Sequence, residues 1–147
     1  MIGLLQRVSE ASVAIDGATV AAIGRGLLVL VGVERDDGER EVRRLAERLL
    51  AYRVFPDSGG RMNLSVRDIG GDVLLVPQFT LAADTRKGNR PGFSRAADPE
   101  HGEALFGALA AEFERLGTTP GCGRFGADMQ VSLVNDGPVT IWLQVTA

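Results

Sequence analysis

The sequence predicts an α+β protein: a mostly antiparallel, barrel-like β-sheet with two main helices, in a single domain that spans residues 1–147. Strand-length apolar runs recur between turn-forming Gly, Asp and Asn residues, whereas helical spacing of apolar residues occurs in two places only. With 147 residues, 45% of them hydrophobic, the chain has enough apolar surface for one sizeable core. No internal repeat or linker divides it.

The first quarter of the chain is predicted to be a meander of four strands. Ile2–Val8 and Ala11–Ile15 are apolar enough to form strands, and Asp16-Gly17 is a typical tight hairpin turn. The return strand is Thr19–Ile23. Leu27–Val33 is almost continuously apolar, which predicts a central strand covered on both faces.

Two helices are predicted. The first follows Asp36 or Asp37, either of which can cap it by accepting backbone N–H bonds. Arginines and glutamates alternate along it, which indicates a solvated, ion-paired face rather than a nucleic-acid site. The second begins with Asp98 as cap and Pro99 in the first turn, and Gly117 ends it. The apolar stripes that face the core are Val42, Leu45, Leu49 and Tyr52 in the first helix and Leu105, Phe106, Leu109, Phe113 and Leu116 in the second.

Short strands and loops separate the two helices. A surface loop covers residues 56–61, Met62–Val66 is a short strand, and Val73–Val76 is a buried strand that runs into Pro77. Because proline has no N–H to donate, regular pairing should weaken at Pro77 and leave the next backbone groups free. Residues 82–97 form a basic loop, which is either simply solvated or in contact with phosphates. Its cationic residues are Arg86, Lys87, Arg90 and Arg95.

The last stretch, Met129–Val145, has apolar residues at most of its odd-numbered positions, which at strand periodicity places them on one face of a sheet. Asn135-Asp-Gly-Pro138 interrupts it with four turn-forming residues. The pattern by itself favours a hairpin loop that joins two core strands. The alternative is that Gly137 and Pro138 present bare backbone carbonyls to a ligand, since glycine has no side chain and proline no N–H.

Composition excludes several kinds of site. The single cysteine, Cys122, allows no intrachain disulfide and no cysteine-cluster metal site. The single histidine, His101, allows neither a multi-histidine metal site nor a conventional serine triad within one subunit. The longest apolar run is far shorter than the ~20 residues that span a bilayer, so we expect a soluble, cytoplasmic protein with no membrane partner. The net charge of -3 argues mildly against non-specific nucleic-acid binding.

Two places combine a constrained backbone with polar groups: Gln78-Phe-Thr80, at the end of a predicted buried strand, and Gly137-Pro138. Thr80 is a candidate nucleophile, and the backbone N–H groups beside it are candidate oxyanion donors. A threonine at a strand end more often packs or forms hydrogen bonds, so this pattern alone is weak.

Several longer motifs carry more information. They are Gln6-Arg-Val8, Ala11-Ser-Val13, Leu27–Val33, Met62-Asn-Leu64, Gln78-Phe-Thr-Leu-Ala-Ala-Asp84, Arg90-Pro91, Gly123-Arg-Phe125 and Ala127–Thr140. In these motifs, and across essentially its whole length, the chain resembles the bacterial-type D-aminoacyl-tRNA deacylases. Such long consecutive motifs do not arise by chance agreement.

The resemblance implies a homodimer with both active sites at the subunit interface. Its expected substrates are D-aminoacyl-tRNA and glycyl-tRNA, and its reaction is hydrolysis of the ester between the amino acid and the terminal ribose. In this family the Gly-Pro peptide, here Gly137-Pro138, is cis and reaches into the pocket of the other subunit. Its carbonyl oxygens leave room for a hydrogen on the substrate α-carbon and collide with an L side chain, so selectivity comes from rejection. No cofactor or metal is expected.

The resemblance also assigns the catalytic groups. The backbone around Gln78, Phe79 and Thr80 stabilises the oxyanion, and a hydroxyl of the terminal ribose helps to position the water. For Thr80 the roles of nucleophile and substrate binder both stay open, and we favour the binder. One departure matters: the family commonly has Ser before Gln-Phe-Thr, and this chain has Pro77, which supplies neither a hydroxyl nor a backbone N–H.

Three further residues match positions that bind the substrate or support the site in the family. Phe125 and Met129 are expected to hold the terminal adenine by stacking and apolar contact. Arg7 is expected to brace the Gly-Pro loop, and the basic loop from Arg86 to Arg95 is expected to meet the acceptor stem.

Two other functions remain as alternatives: a non-catalytic dimeric binding module, and a general esterase that acts on free amino-acid esters. Composition alone favours the binding module, because the chain lacks a histidine pair, metal ligands and paired carboxylates. The combination of Gln78-Phe-Thr80 with Gly137-Pro138 favours the deacylase, since a mere binder needs no stereochemical filter.

Overall fold

Six strands form one curved sheet, and two helices pack on one of its faces. The computed structural model describes residues 1–147. The strands are β1 (Ile2–Ile15), β2 (Ala18–Ile23), β3 (Gly26–Gly32), β4 (Phe55–Pro56), β5 (Met62–Leu64), β6 (Asp72–Pro77), β7 (Gly121–Cys122) and β8 (Gln130–Gln144). The helices are α1 (Glu39–Ala51) and α2 (Pro99–Arg115), with a short 3₁₀ helix over Phe79–Ala82. Two helices and a mostly stranded, barrel-like sheet confirm the predicted α+β class.

The long strand β1 corrects the predicted four-strand meander. Ile2–Val8 and Ala11–Ile15 are parts of one strand, not two. On one side β1 pairs with β8 along nearly its whole length, and on the other it pairs first with β3 and then with β2. The prediction ended one strand at Val8 and began the next at Ala11. The chain instead shifts register at Val8 and continues, because a bulge re-aims a strand without ending it.

The neighbours of β1 agree with the prediction. Asp16 and Gly17 have φ values of 51° and 80°, as a tight hairpin turn requires. The strand β3 is buried on both faces. It pairs antiparallel with β1 and parallel with β6, since the chain crosses over through α1 before it returns as β6. The expected strand at Met62–Val66 is shorter, ending at Leu64.

The first helix is capped differently from the prediction. Its N-cap is Gly38, not Asp36 or Asp37, and the Glu41 side chain accepts a hydrogen bond from Gly38 N at 2.9 Å. The Asp37 carboxylate instead accepts from the ammonium of Met1 at 2.7 Å, and burial raises its pKa. The Asp37 carboxylate thus binds the ammonium of Met1, the residue directly before β1, and does not cap the helix.

The second helix matches its prediction. Asp98 Oδ1 accepts from His101 N at 2.8 Å, Pro99 lies in the first turn, and Gly117 follows the helix with φ 97°. The predicted stripe packs inward, with Leu109 and Phe113 fully buried. Neither α1 nor α2 has the length and hydrophobicity that a membrane-spanning helix needs.

Strand β8 corrects the predicted hairpin. The residues on both sides of Asn135–Pro138 pair with the same strand, because Thr140 lies opposite Gln6 and Val134 opposite Glu10. The four turn-forming residues therefore project from one continuous strand as a bulge, which we call the Gly-Pro loop (residues 135–138).

The alternating apolar residues of β8 do face inward, yet the two halves of the strand serve different cores. Met129, Val131 and Leu133 pack against a second, smaller core. Val139, Ile141, Leu143 and Val145 pack in the main core beneath the helices. The register of β8 against β1 shifts at the Gly-Pro loop, between these two halves, so one alternating pattern supplies both cores.

Candidate active site

A cleft of about 990 Å³ lies between the end of β6, the start of α2 and the segment that leads into β8. Four predicted site residues line it together: Gln78, Phe79, Phe125 and Met129. The other lining residues are Arg35, Val76, Pro77, Phe93, Ala96, Ala97, Asp98, Pro99, His101, Gly126, Ala127 and Val131. The strand β6 and the helix α2 thus bring distant parts of the sequence to one apolar cavity.

The segment after β6 forms one wall of the cleft. The strand ends at Pro77 as predicted, but the next backbone group is not free: Gln78 N donates to Val31 O at 2.8 Å. The 3₁₀ helix begins at Phe79, so the N–H groups of Phe79 and Thr80 fall in its first turn, where they have no partner within the helix. These two N–H groups are the candidate oxyanion donors.

Thr80 is the next residue after Phe79 in the 3₁₀ helix, and it does not line the cleft. Its hydroxyl oxygen accepts a hydrogen bond from Gln78 Nε2. No basic side chain contacts this hydroxyl, and a threonine nucleophile needs an adjacent base. The geometry therefore favours a supporting role for Thr80.

Two glycines make room for the opposite wall. A Cβ at Gly102 of α2 would lie 3.2 Å from Phe125 Cζ, so the Phe125 ring packs directly on the helix backbone. A Cβ at Gly123 would lie 2.9 Å from Met129 Sδ, and the same sulfur accepts from Arg124 N at 3.4 Å. The side chains of Phe125 and Met129 therefore each pack closely against the backbone of a glycine.

The lining residues that were not predicted as site residues include Arg35, Phe93 and His101. His101 Nε2 lies 2.8 Å from Asp37 O; since a carbonyl oxygen only accepts, this nitrogen carries the proton. The ring of Phe93 packs against that of Phe79 with centroids 5.1 Å apart. No periodicity in the sequence predicted them, because all three lie in loops or at a helix start and come to one cleft only in the folded chain.

The Gly-Pro loop forms a second group of predicted residues, separate from the cleft. Arg7 Nε donates to Asp136 O at 2.7 Å, and its Nη1 donates to Val54 O at 2.7 Å. The Gly137–Pro138 peptide is cis. Asn135 Oδ1 accepts from Val139 N at 2.7 Å and closes the base of the loop. None of Arg7, Gly137 and Pro138 lines the cleft of the same chain.

The basic loop is partly neutralised. Asp84 accepts from Arg86 Nε at 2.9 Å and from its Nη2 at 2.6 Å, and this guanidinium holds the pKa of the Asp84 carboxyl well below its usual range. Lys87 and Arg90 have no carboxylate partner. Three arginines of α1, by contrast, pair with glutamates of their own helix, such as Arg43 with Glu39 at 3.5 Å.

Other reactive groups lie elsewhere. Cys122 does not line the cleft, and burial raises the pKa of its thiol. No three His, Cys, Asp or Glu side chains come close enough together to hold a metal ion.

Comparison with known proteins identifies the family to which this chain belongs. The family model described as D-Tyr-tRNA(Tyr) deacylase matches residues 4–144. The chain belongs to the D-Tyr-tRNA(Tyr) deacylase family. It is 65% identical to the D-aminoacyl-tRNA deacylase of Alkalilimnicola ehrlichii, over 98% of this chain and 96% of that protein. It is 63% identical to the enzyme of the same name from Methylococcus capsulatus, over 98% and 94%. This member of the deacylase family is therefore a hydrolase that acts on D-aminoacyl-tRNA.

Solved structures agree with the deacylase fold. A protein described as c-Myc DNA Unwinding Element Binding Protein superposes with a TM-score of 0.95 at 38% identity, over 100% of both chains. A probable eukaryotic D-amino acid tRNA deacylase superposes with a TM-score of 0.83 over 98% of both chains. At 18% identity the second comparison supports the fold alone.

Proposed function

We propose that this deacylase is a stereoselective proofreading enzyme of the cytoplasm. It hydrolyses the ester of D-aminoacyl-tRNA and of glycyl-tRNA mischarged on non-cognate tRNA, and it rejects L-aminoacyl-tRNA. The whole chain, residues 1–147, acts as one domain and works as a homodimer. The observation that carries the proposal is the separation of two groups: Gly137 and Pro138 line no part of the cleft that contains Gln78 and Phe125. A second protomer supplies the Gly-Pro loop to each cleft.

The exposed side of β8 supports assembly of two protomers. This strand pairs with β1 alone, so its other edge is free along fifteen residues. Val134 and Trp142 point outward from it, each with 49% of its surface exposed. A long free edge with exposed apolar side chains is a typical place for association with another chain.

Stereoselection follows from the carbonyl groups of the Gly-Pro loop. Arg7 donates to Asp136 O and to Val54 O, which anchors the loop directly before Gly137 and Pro138. At the substrate α-carbon, a hydrogen fits beside a fixed carbonyl oxygen whereas an L side chain collides with it, which makes the filter one of rejection. Glycine carries hydrogen in both positions and passes.

Hydrolysis needs little acid-base chemistry, because an aminoacyl ester is already activated. Water attacks the carbonyl carbon, and the N–H groups of Phe79 and Thr80 receive the negative charge that develops on the carbonyl oxygen. A ribose hydroxyl of the substrate orients the water, and the ribose oxygen leaves with a proton. Thr80 binds substrate and is not the nucleophile. Pro77 adds no donor, so the donors come from the residues after it.

The rest of the substrate is held by its terminal nucleotides. Phe125 and Met129 grip the terminal adenine by stacking and apolar contact, which tolerates any tRNA sequence further along. The cationic residues between Arg86 and Arg95 attract the acceptor end, which reconciles an acidic chain with an RNA substrate.

The first experiment compares hydrolysis of matched D-Tyr-tRNA and L-Tyr-tRNA by the purified enzyme without added metal. We expect release of tyrosine from the D ester only. Equal cleavage of both would remove the stereochemical filter, and equal cleavage of free tyrosine esters would favour the general esterase. If neither were cleaved while aminoacyl-tRNA still bound, the binding module would be the better description.

Mixing two defective variants tests the shared site. Gly137→Ala impairs the loop and Phe125→Ala impairs the cleft. If the loop acts in the partner's cleft, a mixed dimer contains one site with both defects and one intact site. After re-equilibration of a 1:1 mixture, about a quarter of the wild-type sites are restored. If loop and cleft act within one chain, mixing restores nothing.

A further inference from the structure

Phe93 lies where the cleft meets a second, smaller cavity. The second cavity has a volume of about 640 Å³ and is lined by residues of the basic loop. Its lining residues are Asp84, Arg86, Lys87, Arg90, Gly92, Phe93 and Ser94. Phe93 alone lines both cavities. A polymer that leaves the cleft toward the basic loop therefore passes over this ring.

The Phe93 ring is both exposed and held. It retains 37% exposure, although a large aromatic side chain is usually well buried. Its position is fixed by a tilted contact with Phe79, with an interplanar angle of 54°, an arrangement that aromatic pairs prefer. A ring that is fixed on one side and open on the other is suited to stacking with a flat ligand.

Positive charge lies beside the ring. Two backbone hydrogen bonds between Asp84 and Gly92, of 2.7 and 3.1 Å, close the loop. Within it Asp84 neutralises Arg86, which leaves Lys87 and Arg90 unpaired. The second cavity therefore joins an aromatic face to two free cations, the combination that binds single-stranded nucleic acid.

We propose that Phe93 stacks with the penultimate base of the tRNA 3′ end and that Lys87 and Arg90 bind the phosphate next to that base. This rests on the proposed placement of the terminal adenine against Phe125. An aromatic platform fits a single strand rather than the paired acceptor stem, because bases within a duplex already stack on each other. Stacking is also tolerant of sequence, as an enzyme that serves many tRNAs requires.

The test compares two D substrates that differ in the proposed contact. D-Tyr-tRNA contains the penultimate nucleotide, and 3′-O-(D-tyrosyl)adenosine lacks it. In Phe93→Ala we expect kcat/KM for D-Tyr-tRNA to fall about 5- to 150-fold through KM, with the adenosine ester unaffected. Phe93→Trp should restore tRNA affinity. The inhibition constants of the dinucleotide CpA and of adenosine provide a second measure that needs no hydrolysis. Phe93→Ala should weaken inhibition by CpA and leave inhibition by adenosine unchanged.

The cations have a separate readout. Removing one phosphate contact lowers the slope of log KM against log salt by about 0.7 for a single strand. We expect this reduction in Lys87→Ala and in Arg90→Ala. Arg61→Ala is the matched control, because Arg61 is also an exposed, unpaired arginine but lies outside both cavities.

Two outcomes overturn the proposal. An equal loss on both D substrates in Phe93→Ala would show that Phe93 merely supports the 3₁₀ helix, and no loss on either would show that no base stacks there. Failure of the stereochemical proposal is distinguishable from failure of the stacking proposal. The first would appear as cleavage of L-Tyr-tRNA by the wild-type enzyme. The second is decided by the loss of kcat/KM in Phe93→Ala on D-Tyr-tRNA relative to the loss on the adenosine ester.

Discussion

Gly137→Ala is the sharpest perturbation of the Gly-Pro loop. Gly137 has φ 149°, a backbone conformation that residues with a side chain rarely adopt. A Cβ at this position would lie 2.8 Å from Val139 N and 3.2 Å from Arg7 Nη2. Rotation of a side chain cannot relieve contact with a backbone nitrogen, so the loop itself must move.

Two effects of different size follow. A residue held in a sparsely populated backbone region costs about 1–3 kcal/mol, and the free energy of unfolding should fall by that amount. Displacement of a positioned group by ~1 Å can cost about 100-fold in rate. We therefore expect kcat/KM for D-Tyr-tRNA to fall about 100-fold, with a smaller ratio between D and L substrates.

Gly60→Ala separates these effects. Gly60 also has a positive φ, of 80°, but a Cβ there meets no atom within 4 Å, and it lies in an exposed loop away from the cleft. Urea unfolding should show a loss of stability in both variants, whereas aminoacyl-tRNA hydrolysis should fall in Gly137→Ala alone. An unchanged rate with an unchanged D/L ratio in Gly137→Ala would refute the proposed filter.

Three other changes test single groups. Thr80→Ala should keep most of the turnover number and raise KM, because its hydroxyl holds the side chain of Gln78, which lines the cleft, and does not attack the ester; steady-state kinetics with D-Tyr-tRNA measures both. Phe125→Ala should weaken substrate binding by about 1–3 kcal/mol through loss of base stacking, seen as a raised KM. Asp84→Asn should make the free energy of unfolding depend less on pH in acid. The Arg86 guanidinium lowers the pKa of Asp84 in the folded state. The ionised Asp84 carboxylate therefore adds to the free energy of unfolding above the unfolded pKa of about 3.9, and this stabilisation is lost as the pH falls below that value. Urea unfolding between pH 5 and pH 2 measures the difference from the wild-type protein.

Each of these has a contradicting result. Complete loss of turnover in folded Thr80→Ala would make Thr80 the nucleophile. An unaltered KM in Phe125→Ala would argue against the adenine contact. Identical acid limbs for Asp84→Asn and the wild-type protein would mean that the Asp84–Arg86 pair adds nothing to stability.

The sequence by itself determined the elements whose signals are local. The caps and stripe of α2, the Asp16-Gly17 turn and the doubly buried strand β3 all depend on residues a few positions apart, so periodicity and turn chemistry predicted them. The family motifs also selected Gln78, Phe79, Phe125 and Met129, which the fold brings to one cleft.

Tertiary structure alone decided the features that depend on distant pairing. Whether Ser9-Glu10 and Asn135–Pro138 become turns or bulges depends on the partner strand, since β1 and β8 hold each other extended through both interruptions. Asp37 caps no helix because the Met1 ammonium competes for its carboxylate. The place of Phe93 beside Phe79 likewise follows from closure of the Asp84–Gly92 loop, a long-range arrangement that carries no sequence period.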